Sequence, residues 1–301
     1  MTSAANPAET ANASVDPVGE FYAYCRAHVL ARIAETHPGD EPFRHLFIDE
    51  IFPEILYNQI REHMLDCKYN GKIQDREQDN PAFINKRFNL FGDSNRMSLI
   101  IKSIFSENIV KKALVEKFYS DLSDGWYDIL NIHKEFEYFF TKANLFQNIH
   151  VDIPPKFLSF VFYIPENPLP LEEEGNNATI LYDKKLDPHY KARFRSNSLC
   201  VFAPHFYSYH GFASTMDRDV LVMFYVHPEE LAAWRELRSA GPERPPYSDI
   251  RDAIERKLKL FPLIEYDSAQ QIQVERAACL VNAPQGRVLR EGNTNLRHIP
   301  S

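Results

Sequence analysis

The sequence predicts an α+β fold: a two-sheet antiparallel jelly roll forms the core, helices pack on one face, and a helical extension follows at the C-terminus. Two observations predict it. Apolar residues recur at three- and four-residue steps near the N-terminus, which is the period of an amphipathic helix. Between residues 145 and 226, short runs rich in β-branched and aromatic residues are separated by Pro, Gly and Asn. Helices followed by many short strands indicate a double-sheet jelly roll with helices on one face.

The N-terminal elements are read from composition and spacing. Residues 1–17 are rich in Ala, Asn, Ser, Thr and Pro and predict a disordered lead. An amphipathic helix is expected from Val18 until the Pro-Gly pair at 38–39 ends it. Residues 43–48 predict a short strand, and a second helix is expected from Pro53 onwards.

The middle of the chain changes character twice. Residues 69–93 are polar and interrupted by Gly and Pro, so they predict a long loop, which is either a lid or a plain surface loop. Residues 94–122 and 125–142 predict two further helices, the second of them strongly aromatic.

The strands and the C-terminal region complete the prediction. Six strands are expected, at 145–151, 157–164, 178–182, 199–202, 206–212 and 219–226. Helices are expected at 229–239 and 247–260. A single domain over 18–276 is therefore predicted, with a helical layer (18–142), a jelly-roll core (143–227), a helical extension (228–276) and a tail (277–301).

Composition excludes several classes of partner. The chain has 34 Lys and Arg against 42 Asp and Glu, a net charge of −8, and no basic run that would follow a phosphate backbone, so nucleic acid is not expected. No apolar run of about 18 residues predicts a membrane span, and residues 1–20 lack the features of a secretory signal. The four Cys lie far apart without a Cys-x-x-Cys pair. A cytoplasmic protein is expected, and the sequence sets no oligomeric state.

Three residues form a candidate metal site. His150 and Asp152 lie two apart on a predicted strand, so both side chains point to one face. His210 follows 58 residues after Asp152 (210 − 152), which leaves room for strands to depart and return. Two imidazoles and one carboxylate are the ligand set of non-haem Fe(II) oxygenases. His189, in a Lys- and Arg-rich segment, predicts instead a solvated loop.

This order of residues, with Arg218 opening an apolar run 8 residues after His210 (218 − 210), resembles the Fe(II)/2-oxoglutarate-dependent dioxygenase family. The resemblance implies a distorted, cupin-like double-stranded β-helix and a catalytic Fe(II) held by His150, Asp152 and His210. It also implies 2-oxoglutarate and O₂ as cosubstrates, with ascorbate supporting activity in vitro. The distal carboxylate of 2-oxoglutarate is then expected on Arg218, whose guanidinium can bind a carboxylate bidentately.

Other roles for these cations stay open. Arg218 could instead pair with Asp217 or Asp219 at a hairpin end, and Lys156 and Arg195 are alternative cosubstrate anchors. Tyr182 and Asn148 are candidate hydrogen-bond donors to the cosubstrate, or else ordinary polar residues of the core.

The resemblance implies oxidation of an unactivated C–H bond, most simply hydroxylation, with release of succinate and CO₂. We expect a small-molecule substrate such as an amino acid, a sugar or a natural-product intermediate. Lys86 and Arg87 are candidate substrate anchors in the 69–93 segment. The alternatives are a protein side-chain hydroxylase of the same family and a cupin-like isomerase that does not use 2-oxoglutarate. Asp152 argues against halogenation, since related halogenases have a small residue in place of the acidic ligand.

Overall fold

The structure of the chain, a computed structural model, describes residues 17–71, 74–76, 85–90, 93–118, 133–152, 156–204, 208–226, 228 and 231–232. The helices are α1 (Pro17–Glu35), α2 (Glu54–Asn70), α3 (Arg96–Ile104) and α4 (Asn108–Val115). The strands are β1 (His45–Ile48), β2 (Gln74–Arg76), β3 (Asn85–Asn89), β4 (His133–Thr141), β5 (Phe146–His150), β6 (Lys156–Tyr163), β7 (Thr179–Tyr182), β8 (Pro188–Ala192), β9 (Ser198–Phe202), β10 (His210–Ala213) and β11 (Arg218–Val226). Within these ranges, none of the helices combines the length and the apolar character that a membrane span requires.

Two antiparallel sheets form the core. The larger has seven strands in the order β1-β9-β6-β11-β4-β3-β2, and the smaller has four in the order β5-β10-β7-β8. One apolar cluster joins their facing sides, with Tyr163, Phe202 and Val220 from the larger sheet and Leu181 and Ala192 from the smaller. Two antiparallel sheets packed over a shared interior fit the predicted jelly-roll core.

The outer face of the larger sheet carries the helices. A second apolar cluster contains residues of the helical layer, such as Ile60 and Leu114, together with Leu221, Met223 and Tyr225 of β11. Because neighbouring residues of a strand point to opposite faces, the even-numbered residues of β11 face the smaller sheet and the odd-numbered ones face the helices. The predicted helical layer on one face is therefore present.

One predicted helix is wrong. Residues 133–141 form β4, which pairs with β11 along its whole length and with β3 on its other side. The reason is the two-residue alternation of Phe136, Tyr138 and Phe140, which are buried beneath the helices and suit a strand. The helical layer thus ends before β4, and residues 119–132 lie outside the described part of the chain. The helix predicted over 94–122 is two helices, α3 and α4.

Two further segments predicted as loops contain strands. Within 69–93, β2 and β3 pair with each other and extend the larger sheet to its edge. Polar residues suffice there because an edge is only partly covered, so the apolar alternation that marks a strand is absent. Likewise, the Lys- and Arg-rich segment around His189 forms β8 at the edge of the smaller sheet.

Several expectations fall largely outside the described residues. These are the lead at 1–17, the helical extension at 228–276 and the tail at 277–301. In the lead only Pro17 is described, as the start of α1. In the extension only residues 228 and 231–232 are described, and they are helical. The rest of the 69–93 segment, for which a lid is one of the two predictions, is also outside the described residues.

Candidate metal and anion site

The three candidate metal ligands meet where β5 ends and β10 begins. His150 is the last residue of β5 and pairs with His210, the first residue of β10, while Asp152 lies just beyond β5. One ligand atom from each of the three residues lies within 4.8 Å of the other two. The two imidazole rings have their centroids 4.2 Å apart. The fold therefore brings together two residues that are two apart at the end of β5 and a third that is distant in sequence.

His210 presents one particular nitrogen to this site. Its Nδ1 lies 2.8 Å from the carbonyl oxygen of Ser208, which can only accept, so Nδ1 carries the proton. The unprotonated Nε2 lies 3.9 Å from Oδ2 of Asp152. Burial first, and then the charge of His150, lower the pKa of His210 to about 3. The imidazole is therefore neutral at ordinary pH, which is the form that binds a metal.

Asp152 is held by β6, on the opposite sheet. Its Oδ1 lies 2.6 Å from Nζ of Lys156, and its Oδ2 accepts a hydrogen bond of 2.6 Å from the hydroxyl of Ser159. Burial opposes ionisation of this carboxyl, but the positive charge of Lys156 and the neighbouring imidazoles outweigh it, so the pKa of Asp152 lies below its usual range. Asp152 is therefore a carboxylate in the metal-free chain.

A cavity of about 140 Å³ connects this triad to Arg218. Its walls are Phe139, Gln147, His150, Asp152, Lys156, Ser159, Val161, Thr179, Phe202, His210, Gly211, Phe212, Arg218, Val220, Val222 and Phe224. Along β11, Arg218 and Phe224 are six residues apart, which is about 20 Å of strand. Nζ of Lys156 lies 3.5 Å from the centre of the Phe224 ring. The two cationic residues of the cavity wall, Arg218 and Lys156, therefore lie near opposite ends of β11.

Arg218 is buried, with 3% of its surface exposed, and is fixed on one side. Its Nε donates to the carbonyl of Asn177 at 3.0 Å, its Nη2 donates to Oγ1 of Thr179 at 2.9 Å, and the guanidinium stacks 4.0 Å above the ring of Phe212. Among the described residues no carboxylate lies within 4.0 Å of it. Burial lowers the pKa of Arg218 to about 10, which leaves it charged at neutral pH. A buried guanidinium without a carboxylate partner is a site for an anion.

The alternative partners of Arg218 are engaged elsewhere. Asp219 pairs with Lys68 at 2.8 Å and Asp217 pairs with Lys142 at 2.6 Å, so the expected alternative of a hairpin-end ion pair with Arg218 is wrong. Arg195, an alternative cosubstrate anchor, pairs with Asp49 and Glu174 and does not line the cavity. Lys156 does line it, but its ammonium is on Asp152.

The remaining predicted site residues are Tyr182, Asn148, Lys86 and Arg87. Tyr182 does not line the cavity, because alternation along β7 places it on the opposite face from Thr179. The side chains of Asn148, Lys86 and Arg87 lie outside the described part of the chain. Their backbone is described, and the register of β3 and β4 pairs Arg87 with Phe139 of the cavity wall. The proposed contacts of these three side chains stay predictions.

Three polar residues of the cavity wall, Gln147, Ser159 and Thr179, are not among the predicted site residues. Thr179 contacts Arg218, Ser159 contacts Asp152, and the amide of Gln147 lies 3.1 Å from Nε2 of His150. Ser159 and Thr179 each stand in a strand whose other residues are mostly apolar, and a hydroxyl in such a strand is the signal that could have found them.

Comparison with known proteins gives fold neighbours only. No protein-family model matches the chain, and no curated protein matches it. Solved structures that are similar to it are prolyl hydroxylases and 2-oxoglutarate Fe(II) oxygenases. They include a prolyl-4-hydroxylase from Pseudomonas putida (12% identity, covering 67% of this chain and 98% of that one, TM-score 0.48). A prolyl hydroxylase from Trichoplax adhaerens, in complex with a peptide fragment of the hypoxia inducible factor oxygen degradation domain, has 14% identity over 72% of this chain and 94% of that one (TM-score 0.49). HygX from Streptomyces hygroscopicus, with nickel and 2-oxoglutarate bound, has 9% identity over 61% and 83% (TM-score 0.42). At these identities and scores, the function has to be argued from the residues of the site.

Proposed function

We propose that the chain is an Fe(II)- and 2-oxoglutarate-dependent oxygenase that hydroxylates, or otherwise oxidises, an unactivated C–H bond of a small molecule and releases succinate and CO₂. Two features of one cavity support the proposal. A set of metal donors lies at one part, and a buried cation that suits a carboxylate lies at the other.

The donor set fits ferrous iron. His150 and His210 supply imidazole nitrogens and Asp152 supplies a carboxylate oxygen, all within reach of a single ion. Two His and one carboxylate on one side of a metal leave the opposite coordination positions open, which is the arrangement of non-haem Fe(II) oxygenases. A closed structural zinc site would need a fourth protein ligand, and the described residues place no further His, Cys, Asp or Glu in this group.

The observation that carries the proposal beyond a metal site is Arg218. Its guanidinium is buried in the same cavity, is held by Asn177 and Thr179, and has no carboxylate partner among the residues described. A cosubstrate with two carboxylates can place one end at the metal and the other on this guanidinium. A cupin-like isomerase that never uses 2-oxoglutarate gives no reason for such a cation.

The residues of the cavity have separable tasks in this reaction. Arg218 binds the distal carboxylate, and Thr179 and Phe212 orient the guanidinium. The apolar walls, including Val220 and Val222, exclude water from the space between the cation and the triad. When bound, Fe(II) supplies the redox chemistry by which 2-oxoglutarate and O₂ oxidise a C–H bond.

A small substrate is proposed because the cavity is small. Its volume of about 140 Å³ is below the range of about 300–1,000 Å³ of pockets for drug-sized ligands. The reacting group therefore has to be compact once the cosubstrate is present. Candidates are amino acids, sugars and intermediates of natural products.

The test is succinate release with Fe(II), ascorbate and 2-oxoglutarate across a panel of such metabolites, with mass spectrometry to find a product heavier by one oxygen. The control is the His210→Ala variant, which should release none. Substrate-stimulated succinate release supports the proposal. If the iron-loaded chain neither binds nor consumes 2-oxoglutarate, the oxygenase assignment fails. Consumption with protein acceptors alone would correct only the substrate class.

A further inference from the structure

An irregularity in β6 turns two of its polar residues toward Asp152. The register between β6 and β11 shifts between Tyr225, which pairs with Leu158, and Val226, which pairs with Lys156. One extra residue on β6, Phe157, therefore forms a β-bulge. Phe157 and Leu158 both pack in the cluster beneath the helices. Lys156 and Ser159, three positions apart, consequently both face the cavity, which regular alternation would not allow.

Lys156 and Ser159 each contact a different oxygen of the Asp152 carboxylate. Lys156 holds Oδ1 of Asp152 at 2.6 Å, and its ammonium is also fixed against the ring of Phe224. Ser159 donates to Oδ2. Oδ2 is the oxygen that faces Nε2 of His210. Since a carboxylate oxygen can accept twice, Oδ2 keeps one lone pair for a metal after the bond from Ser159.

We propose that Lys156, re-aimed by the bulge in β6, is a positioning residue that occupies Oδ1 of Asp152 and so restricts this carboxylate to binding metal through Oδ2 alone. The inference rests on the metal site of the proposed function, but it needs neither cosubstrate nor substrate. With Oδ1 free, a carboxylate can coordinate through both oxygens, as it often does in other metal sites.

Coordination through one oxygen matters because of the positions it leaves open. A six-coordinate metal with three single-atom protein ligands has three positions left, and a second carboxylate oxygen would take one of them. Two open positions are needed for a chelating keto acid and one for O₂. Lys156 also has a cost for metal binding, because its charge repels a divalent cation and competes with it for Asp152.

The experiment uses Mn(II) as the only ligand of the full-length, metal-free chain. The dissociation constant is measured by electron paramagnetic resonance, and bound water is measured by water-proton relaxation. Lys156→Met should tighten Mn(II) binding by about tenfold, because the competing charge is gone. It should also lower the relaxation enhancement by about one third, as one of three bound waters is replaced by Oδ1.

A second variant separates charge from hydrogen bonding. Lys156→Gln removes the charge but keeps a donor for Oδ1, so it should bind Mn(II) more tightly while the relaxation enhancement stays at the level of the unaltered chain. If Lys156→Met does not fold, the Mn(II) dissociation constant of Lys156→Gln still tests the predicted gain in affinity. Lys112→Met, which removes an exposed lysine of α4, is the matched control and should change neither quantity.

Unchanged affinity and relaxation in Lys156→Met, or weaker binding than in Lys112→Met, would overturn the role of Lys156 while leaving the metal site intact. If the unaltered chain binds no Mn(II), the proposed metal site fails and the inference fails with it. The two failures are therefore distinguishable.

Discussion

Nζ of Lys68 lies 2.8 Å from Oδ2 of Asp219, on the face of the larger sheet that carries the helices. Asp219 follows Arg218 directly in β11, and neighbouring residues of a strand point to opposite faces. Of the two carboxylates that flank Arg218 in sequence, Asp219 is therefore paired with α2 on the outer side of the sheet, and Asp217 is paired with Lys142. The guanidinium on the inner side stays available to an anion in the cavity.

Removing Lys68 tests this separation of the two faces. Lys68→Met should destabilise the chain by about 3–5 kcal/mol, because it leaves the buried carboxylate of Asp219 without its counter-charge. The dissociation constant of 2-oxoglutarate should stay within about twofold, because the cavity lies on the other face. Urea unfolding measures the first quantity, and calorimetric titration of the Mn(II)-loaded chain measures the second.

Two controls accompany this variant. Lys142→Met breaks the exposed ion pair with Asp217 and should cost at most about 1 kcal/mol. The double variant Lys68→Met with Asp219→Asn should recover part of the loss, since no buried charge then remains. A large loss of 2-oxoglutarate affinity in Lys68→Met would show that the two faces are not independent.

Arg218 is the residue whose substitution decides the reaction class. Arg218→Met should weaken binding of 2-oxoglutarate by about 30-fold or more, because a desolvated charge pair contributes about 2–5 kcal/mol. Arg218→Lys should be intermediate, as it keeps the charge but loses the two-pronged geometry. Calorimetric titration of the Mn(II)-loaded variants measures the affinity.

The matched control for Arg218 is Arg195→Met. Arg195 pairs with Asp49 and Glu174 outside the cavity, so its loss should lower the free energy of unfolding and leave the 2-oxoglutarate affinity unchanged. Equal affinities for 2-oxoglutarate in the Arg218→Met variant and the unaltered chain would favour the isomerase alternative.

How far the sequence predicts this site depends on how local each signal is. His150 and Asp152 are two apart in sequence, at and just beyond the end of β5, so the alternation of an extended chain is enough to predict a common face. The faces of β7 could not be assigned in this way, because all four of its residues are buried and no polar side marks the solvent. For this reason the sequence alone does not distinguish Tyr182, a candidate donor to the cosubstrate, from Thr179, which lines the cavity. Ser159 and Lys156 share a face through a bulge, which depends on pairing with β11.

In the fold, too, the elements with a local sequence signal are predicted, and those that depend on pairing with distant strands are not. The strands with continuous apolar runs, such as β6 and β11, agree with their predicted ranges to within one or two residues. The sequence predicts a helix over β4 because a densely aromatic segment fits either period, whereas pairing with β11 makes it a strand. β2 and β3 carry few apolar residues, so their strand conformation comes from hydrogen bonding to β4 and not from their own composition.

Thr179 is predicted to hold Arg218 in place. Thr179→Val preserves the shape of the side chain but removes the oxygen that accepts from Nη2. A buried donor left without its partner costs about 1–3 kcal/mol, so the affinity for 2-oxoglutarate should fall by about fivefold or more. The Mn(II) affinity should not change, because Thr179 does not contact the triad. An unchanged 2-oxoglutarate affinity would mean that Asn177 and Phe212 suffice to orient the guanidinium.

The metal ligands themselves are tested by metal content. His150→Ala and His210→Ala should each abolish stoichiometric iron binding, because two donors in an open site hold Fe(II) weakly. Elemental analysis after anaerobic loading and desalting measures the iron. His189→Ala, at the exposed edge of the smaller sheet, is the control and should keep full iron content. Full occupancy in either triad variant would contradict the assignment.

The pH dependence of stability gives a test that needs no metal. Burial lowers the pKa of His210 to about 3, whereas in the unfolded chain the imidazole has its ordinary value of 6.5. Below pH 6.5 the unfolded chain takes up a proton that the folded chain does not, so stability falls on acidification and is fully present above that pH. Asp152, whose pKa is lowered, contributes in the same direction but only below its ordinary value of 3.8.

Between about pH 7.5 and pH 5 the contribution of His210 to this loss should be about 2 kcal/mol, from roughly 1.5 pH units at 1.36 kcal/mol each. His210→Gln removes the titrating group, so the chelator-treated variant should lose about 2 kcal/mol less than the unaltered chain over this interval in urea unfolding. His45, another buried imidazole whose pKa is lowered by burial, lies outside the triad. The substitution His45→Gln should leave the contribution of His210 to the pH-dependent loss of stability unchanged, because the free-energy effects of distant sites are additive. An identical loss in the His210→Gln variant and the unaltered chain would mean that His210 is protonated in the folded, metal-free state and is not prepared to bind a metal.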